Sequence, residues 1–290
     1  MSEPTTTAAT GVRDRLVEYL REQSLRLTEH FAAAVVDGDA TAIHKSRVAL
    51  RRTRSALRQF APLLPRRRRR RATRTVRVLA RALGAIRDLD ALSARLDAEA
   101  LAPLREPAET LSRLRTALQA ERERELAALP GVATPALLGR VLVRVAAAAA
   151  ASEDAGAVAC LQRVTTRFLD AVAPLVPRAQ DPEQIGSQHQ IRIQVKRVRY
   201  ACELLDPLVP GGLAEEIGLA QAAQEGLGLL QDLAVLADLL PRLVPQSEAL
   251  LAQLVALRRA EHARLLTADP ELISALCRTL RSRSVPESVA

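Results

Sequence analysis

Two short segments carry the residue types best suited to chemistry. Residues 44–54 read His-Lys-Ser-Arg-Val-Ala-Leu-Arg-Arg-Thr-Arg, and residues 189–199 read His-Gln-Ile-Arg-Ile-Gln-Val-Lys-Arg-Val-Arg. Both fit the pattern His-x-x-Arg-x-x-x-(Arg/Lys)-Arg-x-Arg. Wound as helices at about 100° per residue, His44, Arg47, Arg51, Arg54 and Arg58 share an arc of roughly 80°. His189, Arg192, Lys196 and Arg199 share the equivalent arc, while Arg52 and Arg197 lie off it at matching positions. Ile43, Leu50, Leu57 and Phe60 form an apolar stripe beside the first arc, and Ile191, Val195, Val198 and Cys202 beside the second. The cations therefore flank a face that must be buried. Like charges three and four residues apart repel, and no acid relieves them before Glu203. An anion seated on the row removes that penalty. Arginine suits the task, because its planar fork donates paired hydrogen bonds to phosphate oxygens.

The basic character continues beyond the first segment. From His44 to Arg87 there are sixteen Lys or Arg residues and no Asp or Glu. The run Arg66–Arg71 is a solvated arm or part of the wall. Arg74, Arg77 and Arg81 follow at helical spacing and extend the basic face. His44 and His189 read as hydrogen-bond donors to phosphate, with a helix-start or packing role as the alternative. They lack the neighbouring ligands a metal would need, so neither metal nor cofactor is expected. Asp88 and Asp232 recur in register after Gly84 and Gly228. A helix cap or an orienting partner for a motif arginine is the favoured role for these carboxylates, ahead of a Mg²⁺ pair. No phosphate-binding glycine loop and no nucleophile–base set can be assembled, and the protein is read as a binder rather than an enzyme.

The elements that position these residues are helical. Aromatics make up only 2 % of the 290 residues and Trp is absent, while Ala, Leu, Arg and Glu dominate, which favours an all-α fold. Apolar periodicity predicts helices near 11–36, 40–64, 67–84, 88–99, 104–129, 135–150, 156–176, 182–206, 212–225, 227–240, 246–266 and 269–281. The chain also repeats itself. The two His/Arg motifs stand 145 residues apart, and Leu83–Leu89 matches Leu227–Leu233 at nearly the same spacing. Two similar bundles follow, at 10–150 and 154–282, joined near Ser152-Glu153-Asp154, with flexible termini at 1–9 and 283–290.

The bulk numbers limit the partners. Hydrophobic residues are 48 %, charged residues 26 % and the net charge is +9, a globular balance with a surplus that favours polyanions. Cys160, Cys202 and Cys277 are too few and too scattered for a disulfide framework or a metal knuckle, as expected in a reducing cytoplasm. No run is long and apolar enough to span a membrane, and Met1–Thr10 lacks the apolar core of a signal peptide.

Together these motifs resemble the CHAD family, the conserved histidine α-helical domain. The doubled His/Arg helix, Tyr200 after its second copy, and the Arg-Asp-Leu-Asp and Gln-Asp-Leu segments carry the resemblance over about residues 10–282. It implies two pseudo-symmetric helical bundles with a basic groove or pore between them. It also implies binding of inorganic polyphosphate and, in bacteria, association with polyphosphate granules. By position the implied contacts are His44, Arg47, Arg51, Arg52, Arg54 and Arg58, then His189, Arg192, Lys196, Arg197 and Arg199, with Arg74, Arg77, Arg81 and Arg87 extending the first wall. The second half departs from the first. Glu203 replaces Arg58, and Gly218, Gln221 and Glu225 replace Arg74, Arg77 and Arg81, so the first half is the more basic. Duplex nucleic acid is the alternative partner, since its backbone would use the same cations. Single strands are gripped largely by aromatic stacking, and this chain has only Tyr19, Phe31, Phe60, Phe168 and Tyr200. A metal-dependent enzyme on phosphate chains, using Asp88 and Asp232, is the remaining alternative.

Overall fold

The computed structural model describes residues 11–96, 104, 108–129, 135–149, 156–268 and 271–283. Among them are eleven α-helices and no strand. The first half contains α1 (Val12–Ala32), α2 (Ala40–Gln59), α3 (Arg66–Leu96), α4 (Ala108–Ala127) and α5 (Pro135–Ala149). The second contains α6 (Ala157–Val172), the single turn α7 (Val176–Ala179), α8 (Ile185–Leu205), α9 (Ala214–Leu243), α10 (Glu248–Ala268) and α11 (Leu272–Arg283). The motif helices are α2 and α8. Their expected apolar stripes, Ile43 to Phe60 and Ile191 to Cys202, are buried throughout.

Local chemistry fixes where α2 begins. Gly38 takes a left-handed conformation, φ 62°, which a residue with a Cβ adopts only at a cost. Asp39 then caps α2, its carboxylate accepting from the Ala42 amide at 2.6 Å. This start sets the phase that places Ile43 inward and His44 on the exposed side.

The two halves pack in the same way. In the first, α1 meets α2 and α5, and α3 meets α2, α4 and α5; in the second, α6 meets α8 and α11, and α9 meets α8, α10 and α11. The halves touch through α1 and α2 against α8, and through α3 and α4 against α9. Two apolar clusters result. One gathers α1, α2, α5, α6, α8, α11 and the first parts of α3 and α9. The other joins Leu89, Leu92 and Leu114 to Leu233, Leu236 and Leu250. Arg87–Asp88 and Gln231–Asp232 fall at the junction between the clusters.

Several expectations are corrected. The breaks between 84 and 88 and between 225 and 227 do not exist: α3 and α9 run on as helices of 31 and 30 residues. Gly84, Gly226 and Gly228 are helical, and Pro241 lies inside α9. Gly226 admits a close helix contact, because a Cβ there would meet Leu265 Cδ1 at 2.5 Å. Asp88 and Asp232 lie mid-helix and so cap nothing. The run Arg66–Arg71 is the opening of α3, not a loose arm, and Arg68 donates to the Arg144 carbonyl of α5 at 3.2 Å. Arg283 belongs to α11 and pairs with buried Glu216 at 3.5 Å. The joint at 152–154 and the other terminal residues, 1–9 and 284–290, lie outside the described residues. Cys160, Cys202 and Cys277 form no disulfide, and among the described residues no helix is long and apolar enough to cross a membrane.

Candidate functional site

Four helices bring the motif residues together. On α2, Arg47 reaches across to α3 and donates through Nη1 to the Ala80 carbonyl. Gly84 makes room for it: a Cβ there would lie 3.2 Å from Arg47 Nη1. The second half repeats the arrangement. Arg192 of α8 lies over Gly228 of α9, where a Cβ would come within 3.5 Å of its Nη2. The register-matched glycines thus admit guanidinium groups, and the phrase Leu-Gly-x-x-x-Asp-Leu encodes an arginine berth rather than a turn. The Nε groups of Arg47, Arg51 and Arg192 are buried without an acceptor in the protein, a cost that a bound anion nearby would offset.

The histidines also occupy equivalent places, with opposite hydrogen-bond roles at Nδ1. His44 Nδ1 accepts from Arg87 Nε at 3.1 Å. Arginine can only donate, so His44 is neutral there and carries its proton on Nε2. Partial desolvation, then the charges of Arg87 and Arg51, hold its pKa below the usual imidazole value. His189 Nδ1 instead donates to Gln231 Oε1 at 2.6 Å, Gln231 being the counterpart of Arg87.

Between these pairs the two halves share one electrostatic environment. Burial first, with the charges of Arg192 and Arg51 next, pushes Lys196 down to about 7, while Asp232 opposes the shift. Arg192 is lowered by burial and by Arg51, against the pull of Asp232 and Asp88. Arg47 is lowered by burial, with Asp88 opposing and Arg51, Arg54 and Arg87 adding to the fall. The Asp88 side chain reaches solvent yet stands in a crowded rim. Desolvation raises its pKa, Arg47 and Arg87 pull it back, and Asp232 adds a like charge. Asp232 accepts from Arg95 Nε at 3.1 Å, an ion pair between the halves. The carboxylates therefore orient and partly neutralise arginines. Among the described residues no three His, Cys, Asp or Glu side chains converge as a metal cluster would require.

The remaining predicted contacts divide. Arg74, Arg77 and Arg81 are exposed on α3. With Gly84 they span about 80° of that helix, and Arg77 adds its charge to that of Arg54. Arg54, Arg58 and Arg197 gather toward the end of α2. Arg52 and Arg199 leave the row. Glu203 accepts from Arg52 Nη2 at 3.1 Å, Arg199 Nε lies 3.4 Å from its other oxygen, and both guanidinium groups stand over the Tyr200 ring. This knot lies beside Tyr19, whose phenol burial pushes far up. One member of the arginine set was missed by sequence reasoning: Arg167 of α6, which joins Arg58 and Arg197 around a cleft. The register could have shown it, because position 167 matches Glu22 in the first half.

All five aromatic residues are buried, so none offers a ring for bases to stack on. The guanidinium groups of this surface can donate paired hydrogen bonds to oxyanions.

Known proteins share this fold. The crystal structure of the CHAD domain from the plant Ricinus communis is similar, with a TM-score of 0.65 and 24 % sequence identity over 94 % of this chain and 93 % of that one. PptA from Streptomyces chartreusis is similar with a TM-score of 0.64 and 19 % identity, over 95 % of this chain and 98 % of its own. No curated protein matches by sequence. The CHAD domain model matches residues 18–241, and the chain belongs to the CHAD domain family.

Proposed function

We propose that this protein binds inorganic polyphosphate along the facing motif helices α2 and α8, as a binding module rather than an enzyme. The observation that carries this is the convergence of Arg47, Arg51, Arg192 and Lys196, flanked by the His44–Arg87 and His189–Gln231 pairs, with only Asp88 and Asp232 to offset them. A regular polyanion supplies phosphate oxygens at each step, and guanidinium forks fixed by glycine berths meet them without large rearrangement. Arg74, Arg77 and Arg81 lead a chain onto the site from α3. Arg52 and Arg199, held by Glu203, contribute little. Membership of the CHAD family, which is associated with polyphosphate-related proteins, favours the same partner. Association with polyphosphate granules in the cytoplasm follows from this reading. Calorimetric titration with long-chain polyphosphate at two salt concentrations tests it. Tight binding that weakens steeply with salt is expected, through release of condensed counterions; the absence of heat at either salt concentration would sink the proposal.

Lys196 gives the binding a pH signature. Unfolded, a lysine keeps its proton up to its ordinary value of 10.5; here it loses it near 7. Between those values the unfolded chain holds more protons, so the free protein gains stability as pH rises through that window. An anion restores the proton. At pH 8, binding should take up protons, seen as calorimetric heats that depend on the buffer's ionisation enthalpy. Affinity should fall above about pH 7, by at most about tenfold per unit. Heats independent of buffer would show that Lys196 does not contact the anion.

A further inference from the structure

Beyond the site between the motif helices, the geometry points to a second, separate pocket for a compact phosphate anion, at the junction of α2, α6 and α8. A cleft of about 400 Å³ opens there, lined by Arg58 and Gln59 of α2, Arg167 of α6 and Gln194 and Arg197 of α8, over buried Phe168. No acid is among its lining residues. Arg197 donates to Gln194 Oε1 at 3.1 Å, which leaves the rest of its guanidinium for a ligand. Partial burial, then the charges of Arg58 and Arg54, drive Arg197 down to about 10. Three positive groups from three helices thus meet around one space.

The internal repeat supplies the control. The junction that the repeat makes equivalent, of α8 with α1 and α2, holds Glu203 for Arg58, Glu22 for Arg167 and Arg52 for Arg197. There the charges are satisfied within the protein. Arg52 donates to Glu203 at 3.1 Å, and Arg15 donates to Glu22 and Glu18 at 2.8 Å each. Ordinary folding thus calls for acids at this junction. At its twin, arginines replace both acids around an open cleft, an arrangement that needs an external anion. The three cations come from three helices around one cleft of about 400 Å³, a space for a pyrophosphate-sized anion or the end group of a phosphate chain rather than a chain passing through.

The test uses the whole protein and inorganic pyrophosphate as the probe, at fixed ionic strength. Arg167→Glu and, separately, Arg58→Glu recreate the acidic pattern of the other half, so the fold should hold, and a melting temperature that does not fall checks it. Each should weaken pyrophosphate binding at least tenfold. Arg51→Ala with Lys196→Ala should leave pyrophosphate binding within about threefold while losing long-chain polyphosphate. The source follows from a further arm. If Arg167→Glu also weakens long chains with free ends but not chains with both ends blocked, the cleft holds an end group; if long chains are indifferent, it holds the free anion. Wild type that fails to bind pyrophosphate, or pyrophosphate binding lost equally in the Arg51/Lys196 variant, would overturn the second pocket. Neither result touches the long-chain site, which the long-chain titration judges by itself.

Discussion

Replacing Arg51 and Lys196 together by alanine is expected to weaken long-chain polyphosphate binding by roughly a hundred- to ten-thousandfold. Each charge-assisted hydrogen bond contributes about 1.5–3 kcal/mol, and two lost together correspond to that range of dissociation constants. The residues come from opposite halves, and Arg51 already depresses Lys196, so one phosphate group can meet both. Stability should move the other way. The free protein holds these cations against one another with Asp88 and Asp232 offsetting them only in part, and removing two relieves repulsion. The melting temperature should therefore not fall. Calorimetry and thermal melts on the same preparations check both halves of the expectation. A loss of binding that merely tracks unfolding would show structural damage instead. Binding within threefold of wild type would place the anion elsewhere, on Arg66–Arg71 or its neighbours.

Glu203→Ala should do the opposite. Glu203 holds Arg52 of α2 and Arg199 of its own helix, all three partly buried, with side chains 15–24 % exposed. Removing the carboxylate leaves two cations facing each other over Tyr200 and beside the buried phenol of Tyr19. Breaking a fully buried pair costs several kcal/mol; with this exposure the cost is about 2 kcal/mol. For a chain of this size that lowers the melting temperature by roughly 3 °C. Polyphosphate binding at the central site should change little, since neither arginine stands in it. A melting temperature unchanged within 1 °C would show that the knot contributes nothing.

Much of this was legible in the sequence, because helices announce themselves by period. The phase of the apolar residues placed His44, Arg47 and Arg51 on one arc beside a buried stripe, and the structure keeps that phase in both halves. The repeat identified Gly84 with Gly228 and Asp88 with Asp232. The meaning of the glycines was not legible. Glycine reads as punctuation along a chain, whereas here it removes a Cβ from the path of an arginine on another helix. The mistaken helix breaks followed from the same cause. Arg52 and Arg199 were grouped with the anion contacts because the pattern includes them. Arg199 meets Glu203 one turn along the same helix, and the crossing of α2 over α8 brings Arg52 to it as well. Arg167 was overlooked because it lies on a helix without the motif, and a single exposed arginine carries no signal until it is compared with Glu22.

Competition between long-chain polyphosphate and duplex DNA of equal total charge tests the central claim most directly. A site made of fixed arginine forks, without exposed aromatics, should keep polyphosphate bound while the DNA is raised to equal charge, and should release it when Arg51 and Lys196 are replaced. Displacement of polyphosphate from the wild-type protein by an equal charge of duplex DNA would contradict it, and would mark the paired helices as a nucleic-acid backbone site.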